Sequence, residues 1–419
     1  MVPNGAPGLL TAAAQQSRSR SIATSPDSIE AFREEVRVFL RASVTPALRE
    51  RVQAGNYLQK DEYLAWQKAL GARGWGAPHW PLEHGGAGWS AMQKYVFEDE
   101  SARMEAPIPV YLRNGQHIVG PLIIRFGRDD QKARYLPRIL HGDELWAQGF
   151  SEPGAGSDLA ALRCAARREG DAYIVDGTKI WTSLAHLSAH CLLLVRTGSH
   201  GSKHDGITIL LVNLSLPGIT IRPINAIDGY HHLNQVTFDN VRVPADCRLG
   251  EEGSAWKMIG VGLDAERLFL ADIGLSKSLL LRLRNIAART PRGDGMLCGQ
   301  AWFGDRLGRL EIRMSALDGM VLRLLHAPDR ITSKEASMLK LRGTELAQDI
   351  SQLMSEAVGM HALPYHHDVL GGGWQGEPIG PAFAATLTPF YLFWRKATIS
   401  GGTSEIQKNI IARSLFGAK

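Results

Sequence analysis

Residues 152–158, EPGAGSD, place one proline and two glycines within seven positions, so the segment can continue neither a helix nor a central strand. It is a turn-rich loop. Helical periodicity precedes it, and about ninety residues of strand-like alternation follow, so the loop opens a β-part inserted in an otherwise helical chain. Glycines there leave backbone N–H groups uncovered, and Ser151 and Ser157 add hydroxyls. Such a set suits a ligand rich in acceptor oxygens, or an ordinary surface connection.

The remaining composition narrows the class. A chain of 419 residues, 44% hydrophobic and 21% charged, has ample material for two or three cored domains. Cys164, Cys191, Cys247 and Cys298 lack CxxC spacing and companion histidines, so neither a disulfide framework nor a metal site is signalled, and a reducing compartment fits. A net charge of +5, without a dense Lys/Arg block, argues against nucleic acid and anionic membrane as partners. No apolar run is long enough to span a bilayer. Residues 1–26 contain no Asp or Glu and carry SRSRS, similar to a mitochondrial transit peptide; a disordered bacterial extension or an upstream start codon is the reading adopted, with a cytoplasmic location and the mitochondrial matrix as the alternative.

Along the chain, helices are expected from Asp27 to a stop at Pro46, and over 60–70, 92–103 and 130–140. Strands are expected over 173–175, 190–195, 207–212, 219–224 and 235–243, with Asp176-Gly177 and Pro217-Gly218 as turn punctuation. Helices return from 253, one stripe running through Leu268, Ala271, Leu275, Leu279, Leu283 and Ile286, with others over 305–326, 333–360 and 389–415. The expected division is an extension over 1–26, an N-terminal helical domain over 27–143, a middle β-domain over 144–250 and a C-terminal helical bundle over 251–419. Residues 260–265, GVGLDA, fit a dinucleotide fingerprint, but no βαβ unit surrounds them.

The pair QGFSEPGAGSD (148–158) and TKIWTS (178–183) resembles the flavin-binding signature of the acyl-CoA dehydrogenases, and the resemblance covers about 32–417. It implies a helical domain, a β-barrel or sandwich domain and a four-helix bundle, with FAD as cofactor and an acyl-CoA thioester as substrate. It further implies that Gln148, Gly149, Phe150 and Ser151 line the flavin with backbone N–H groups and the Ser151 hydroxyl, that Trp181, Thr182 and Ser183 flank it, and that Gly402, Thr403 and Glu405 meet its ribityl and adenosine portions. Ser157 falls between cofactor and thioester, and the backbone of Gly401 toward the thioester oxygen. No metal is implied.

Removing an α-proton while a β-hydride leaves requires a carboxylate near the α-carbon. Much of the family places it first in an E-G-T motif near the C-terminus; this chain has Gly401 there. A second branch, similar to the isovaleryl-CoA and long-chain enzymes, carries the base before an arginine at a helix start, which Glu266-Arg267 of LDAERL matches. Glu266 is then the base and Arg267 a structural or ligand-contacting residue. Segments HWPLEHGGAGWS and WAQGFSEPGAGSDLAAL look most like the large subunit of pimeloyl-CoA dehydrogenase, implying medium or long acyl groups, dicarboxylic or ring-bearing. Residues by which a family dimer partner completes the FAD site are altered at 287–295 (AARTPRGDG) and at 356–362 (EAVGMHA). The resemblance thus implies a homo-oligomer or a heterotetramer with a second dehydrogenase subunit, with an electron-transferring flavoprotein as oxidant. The alternative is a non-catalytic FAD- or acyl-CoA-binding subunit.

Overall fold

The computed structural model describes residues 26–107, 114–198, 201–260, 273–326, 332–377 and 379–417. Helix α1 (Pro26–Ser43) begins on the proline one residue before Asp27, where a missing N–H costs nothing. Pro46, expected as a stop, instead opens α2 (Pro46–Ala54), with the Thr45 hydroxyl accepting from Leu48 N–H as its cap. Helices α3 (Lys60–Ala72) and α4 (Ala91–Arg103) follow, and Phe32, Val36, Leu40, Trp66, Trp75 and Val96 pack together among them. A π-helical turn (Asn114–Val119) leads into α5 (Gly120–Phe126), and α6 (Asp129–His141) ends on Gly142 at φ 72.

Among the described residues, eight strands form one sheet: β1 (Trp146–Gly149), β2 (Ala165–Glu169), β3 (Ala172–Ser183), β4 (His190–Arg196), β5 (Ile207–Asn213), β6 (Ile219–Ile224), β7 (Leu233–Pro244) and β8 (Arg248–Leu249). The main path runs β6-β7-β3-β2-β4-β5-β8, with β1 parallel to β4. Strand β4 reads HCLLLVR because both of its faces are covered. Leu192 and Leu194 enter the core beneath α5 and α6, while Cys191, Leu193 and Val195 enter the core on the opposite face. Strand β3 is far longer than the hydrophobic triplet at 173–175 suggested, and its pairing with β7 slips twice. The second slip lies between Lys179↔Val236 and Thr182↔Asn234, so one extra residue bulges from β3 at Ile180–Trp181.

Residues 255–260 are helical, and after 272 the described residues of the C-terminal bundle run through helix α7 (Ile273–Arg289), a hairpin β9 (Pro291–Arg292) and β10 (Gly295–Met296), then α8 (Ala301–Leu325) and α9 (Ser333–Ala357). The single helix expected over 389–415 is two: α10 (Leu387–Trp394) and α11 (Ser404–Phe416), parted by a left-handed turn at Gly401 (φ 64) and Gly402 (φ 87). Leu283, Phe303, Leu339, Ile350, Met354, Leu370 and Leu387 centre the bundle core.

Candidate active site

The loop and the strand end that the sequence paired are zipped together. Ile180 N–H donates to Ser151 O (2.9 Å), and beneath this contact Lys179, wholly buried, reaches Phe150 O (3.1 Å) and Glu152 Oε1 (2.7 Å). Glu152 also accepts from Arg163 N–H (2.7 Å) and Cys164 N–H (2.9 Å). Burial alone would raise its carboxyl, yet Lys179 and the two backbone donors hold it below the usual range. Each charge in this buried pair is therefore hydrogen-bonded as well as paired. In a trans peptide C=O and N–H point oppositely, so drawing the Phe150 carbonyl inward turns the Ser151 N–H outward.

Above the pair lies an open face. Trp181 is 55% exposed although large and apolar, and its backbone sits at φ 59, a conformation bulky side chains rarely adopt. Ser151 and Ser183 are half-buried, Ser157 is exposed, and a Cβ added at Gly154 or Gly156 would meet nothing within 4 Å. An aromatic ring presented to the outside, two flanking hydroxyls and a loop left open at its two glycines fit a planar ring system with acceptor atoms at its edge, as a flavin is.

One expected contact needs correction. Thr182 is wholly buried because it alternates with Trp181 along β3, so its hydroxyl cannot reach a ligand on that face. Phe150 lies in the core beneath α5 and α6, and Gly149 packs so closely on β4 that an added Cβ would stand 2.8 Å from Cys191 Sγ. These two residues offer backbone only. Gln148 remains half-buried at the end of β1.

Across the bundle, Thr403 caps α11, its hydroxyl accepting from Ile406 N–H (3.2 Å), and Glu405 is exposed in that helix's first turn. Lys340, 1% exposed on α9, donates to Gly402 O (2.8 Å) and Ala397 O (3.2 Å). Burial pushes its ammonium down to about 8, against the pull of Glu405. By the same peptide geometry, the inward Gly402 carbonyl turns Thr403 N–H outward. Among the described residues, the hydrogen bonds of Gly402 and Thr403 stay within the bundle and none joins them to the 148–158 loop. Glu266 and Arg267 lie outside the described residues.

Glu152, Lys179 and Lys340 were not singled out from the sequence. A charged residue at an inward position of a strand, as Lys179 is within TKIWTS, is the signal that was available for the first pair.

Three sequence models, the acyl-CoA dehydrogenase N-terminal, middle and C-terminal domains, match residues 26–143, 147–241 and 253–416. This chain belongs to the acyl-CoA dehydrogenase family. It is 35% identical to acyl-CoA dehydrogenase IpdE1 of Mycobacterium tuberculosis over 93% of this chain and 97% of that one. Among solved structures it is similar to the Tcur3481-Tcur3483 steroid ACAD, with TM-score 0.80 and 30% identity over 94% of this chain and 98% of that one. The ChsE4-ChsE5 complex of Mycobacterium tuberculosis matches with TM-score 0.78 and 32% identity, over 95% and 99%. Acyl-CoA dehydrogenases use FAD, and the open face at Trp181 is where the residues of this chain suit it.

Proposed function

We propose that this acyl-CoA dehydrogenase desaturates a ring-bearing acyl-CoA between its α- and β-carbons, with Glu266 as the base, as one subunit of a heteromeric enzyme in the bacterial cytoplasm. The Glu266 carboxylate takes the α-proton, a hydride leaves the β-carbon, and the two bonding electrons of the α-C–H bond become the new C=C. FAD, when bound, supplies the acceptor for that hydride, and an electron-transferring flavoprotein reoxidises it. The backbone N–H at Gly401 and the Ser157 hydroxyl face the thioester side, where donors stabilise charge building on the carbonyl oxygen. Ser151 and Ser183 orient the cofactor through their hydroxyls.

The observation carrying the reading is the Ser151–Ile180 junction, which brings the 148–158 loop and the exposed Trp181 to one face over the buried Lys179–Glu152 pair. Likeness to a steroid ACAD supports a ring-bearing acyl group, and the resemblance to a pimeloyl-CoA dehydrogenase subunit supports a dicarboxylic one as the second choice. Support for a second subunit comes from Glu356, which ion-pairs with Arg306 of its own chain where a homodimeric partner would present a glutamine to FAD.

The test is anaerobic flavin reduction by ring-bearing and dicarboxylic acyl-CoAs, using the assembled enzyme with and without Glu266→Gln. The substitution is expected to slow reduction about a thousandfold with flavin still bound. Appreciable retained reduction would remove Glu266 from the role. Flavin and acyl-CoA binding with no reduction by any substrate, in the unsubstituted enzyme, would favour a non-catalytic subunit.

A further inference from the structure

The bulge that sets Trp181 on the open face is not held by the β3–β7 ladder, since that is where the ladder slips. A side chain takes over. Asn234, on β7 opposite Thr182, is wholly buried, and its Nδ2 donates to Thr182 O (3.0 Å), the carbonyl next to Trp181. The same amide nitrogen donates to His186 Nδ1 (3.1 Å), and its Oδ1 accepts from His231 Nε2 (2.9 Å). The two histidines are exposed and stack at 3.9 Å with 18° between their planes. Leu184, a second non-glycine in the left-handed region at φ 55, is anchored nearby by donating its N–H to His232 O (2.8 Å).

Two left-handed non-glycine residues within four positions store strain that the surroundings must hold. The Asn234 amide has two orientations of similar shape, and only one presents Nδ2 to Thr182 O. The Thr182 carbonyl can only accept and so takes Nδ2; in that orientation His231, protonated at Nε2, donates to Oδ1 and an unprotonated His186 Nδ1 accepts, so the two histidines hold the amide there.

We infer that Asn234, with its amide held in place by His231 and His186, is a positioning residue that holds the Ile180–Trp181 bulge so that Trp181 and Ser183 meet the flavin. It touches neither substrate nor cofactor. The inference rests on the reading that Trp181 and Ser183 contact FAD, and the experiment separates the two.

Flavin dissociation constant, visible absorption spectrum and flavin midpoint potential are measured on the full-length, flavin-loaded assembly; amide hydrogen exchange over 180–184 is read in parallel. Asn234→Ser is expected to weaken FAD about tenfold, shift the spectrum and speed exchange over 180–184. Because Asn234 is buried, His231→Ala supplies an exposed variant that spares the core. It is expected to reproduce the shift in part, and His231→Gln, which restores a donor toward Oδ1, to reverse it. Unchanged spectrum, potential and exchange in His231→Ala, or an effect that His231→Gln does not reverse, overturns the clamp. Trp181→Ala and Ser183→Ala probe the underlying reading. Should both leave the flavin constants untouched, that reading and the clamp fail together; should they alter them while Asn234→Ser does not, the clamp alone fails.

Discussion

Asp228, in the loop between β6 and β7, is 1% exposed, and its carboxyl lies 3.7 Å from His232 Nδ1. That ring nitrogen donates to Tyr230 O (3.0 Å), and burial together with Lys396 pushes His232 down to about 3, so the imidazole is neutral over the physiological range. It gives Asp228 no compensating charge. Burial pushes Asp228 up to about 6, against Lys396 and backbone N–H groups. A folded-state value above the unfolded one means that stability present in acid is lost as pH rises through about 6. Asp228→Asn keeps the shape and removes the charge. Its stability advantage over the parent is expected to grow by on the order of 2 kcal/mol between pH 4 and pH 7 in denaturant titrations. A difference that stays flat with pH would mean the carboxylate is well solvated. The buried pair opposite in sign to this case is Glu152 with Lys179, where the depressed carboxyl contributes stability above about pH 4.5 that is lost in acid.

At the scale of elements, β1 shows how closely the flavin-side loop is seated. Gly149→Ala would put a Cβ 2.8 Å from Cys191 Sγ and 2.9 Å from Leu193 Cδ1 on β4. The parallel β1–β4 pairing must then widen, and a loss of about 1–3 kcal/mol is expected by thermal or chemical unfolding, with weaker flavin retention because Ser151 moves with the strand. Wild-type stability in that variant would show the loop is not tied to β1. Periodicity was enough to find α3, α4, α6 and the strands β4 to β7, whose apolar residues recur at the spacing of their cores. It could not show that β3 runs on to Ser183, because its second half mixes Lys179, exposed Trp181 and buried Thr182 around a bulge that breaks the alternation. Pro46 was read as a stop since a proline both ends and begins helices, and only Thr45 as a cap settles which. Within the candidate site, motif residues were legible, whereas Asn234 and Lys340 act through tertiary hydrogen bonds that leave no local pattern.

For the whole molecule, the N-terminal helices are fastened to the C-terminal bundle by charge as well as by apolar packing. Asp99 on α4 is 5% exposed and accepts from Lys277 on α7 (2.6 Å), from Arg103 (3.0 Å) and from Arg33 on α1 (3.3 Å), while Lys277 also meets Asp318 on α8 (3.0 Å). Burial opposes the Asp99 charge, but these cations hold its carboxyl below the ordinary value. Lys277→Met removes the only one of the three cations on the C-terminal side and is expected to cost about 2 kcal/mol, with separate melting of the two helical parts as the calorimetric signature. A single cooperative transition at unchanged temperature would assign the fastening to apolar packing alone.

On the proposed reading, the turn at Gly401 and Gly402 bears on how this enzyme could change over time. Both residues are left-handed, at φ 64 and 87, and any L side chain placed at 401 costs about 1–2 kcal/mol in backbone strain before it contributes anything. A single-codon change restoring a carboxylate at 401 would thus create a strained, competing acid while Glu266 still holds the proton-transfer geometry. Return to the commoner arrangement needs the turn reshaped, the old base removed and the new one installed together. The backbone at 401 thus makes an exchange of one base for the other hard, and lineages descending from such a chain are expected to keep glycine at 401 even where their substrates diverge.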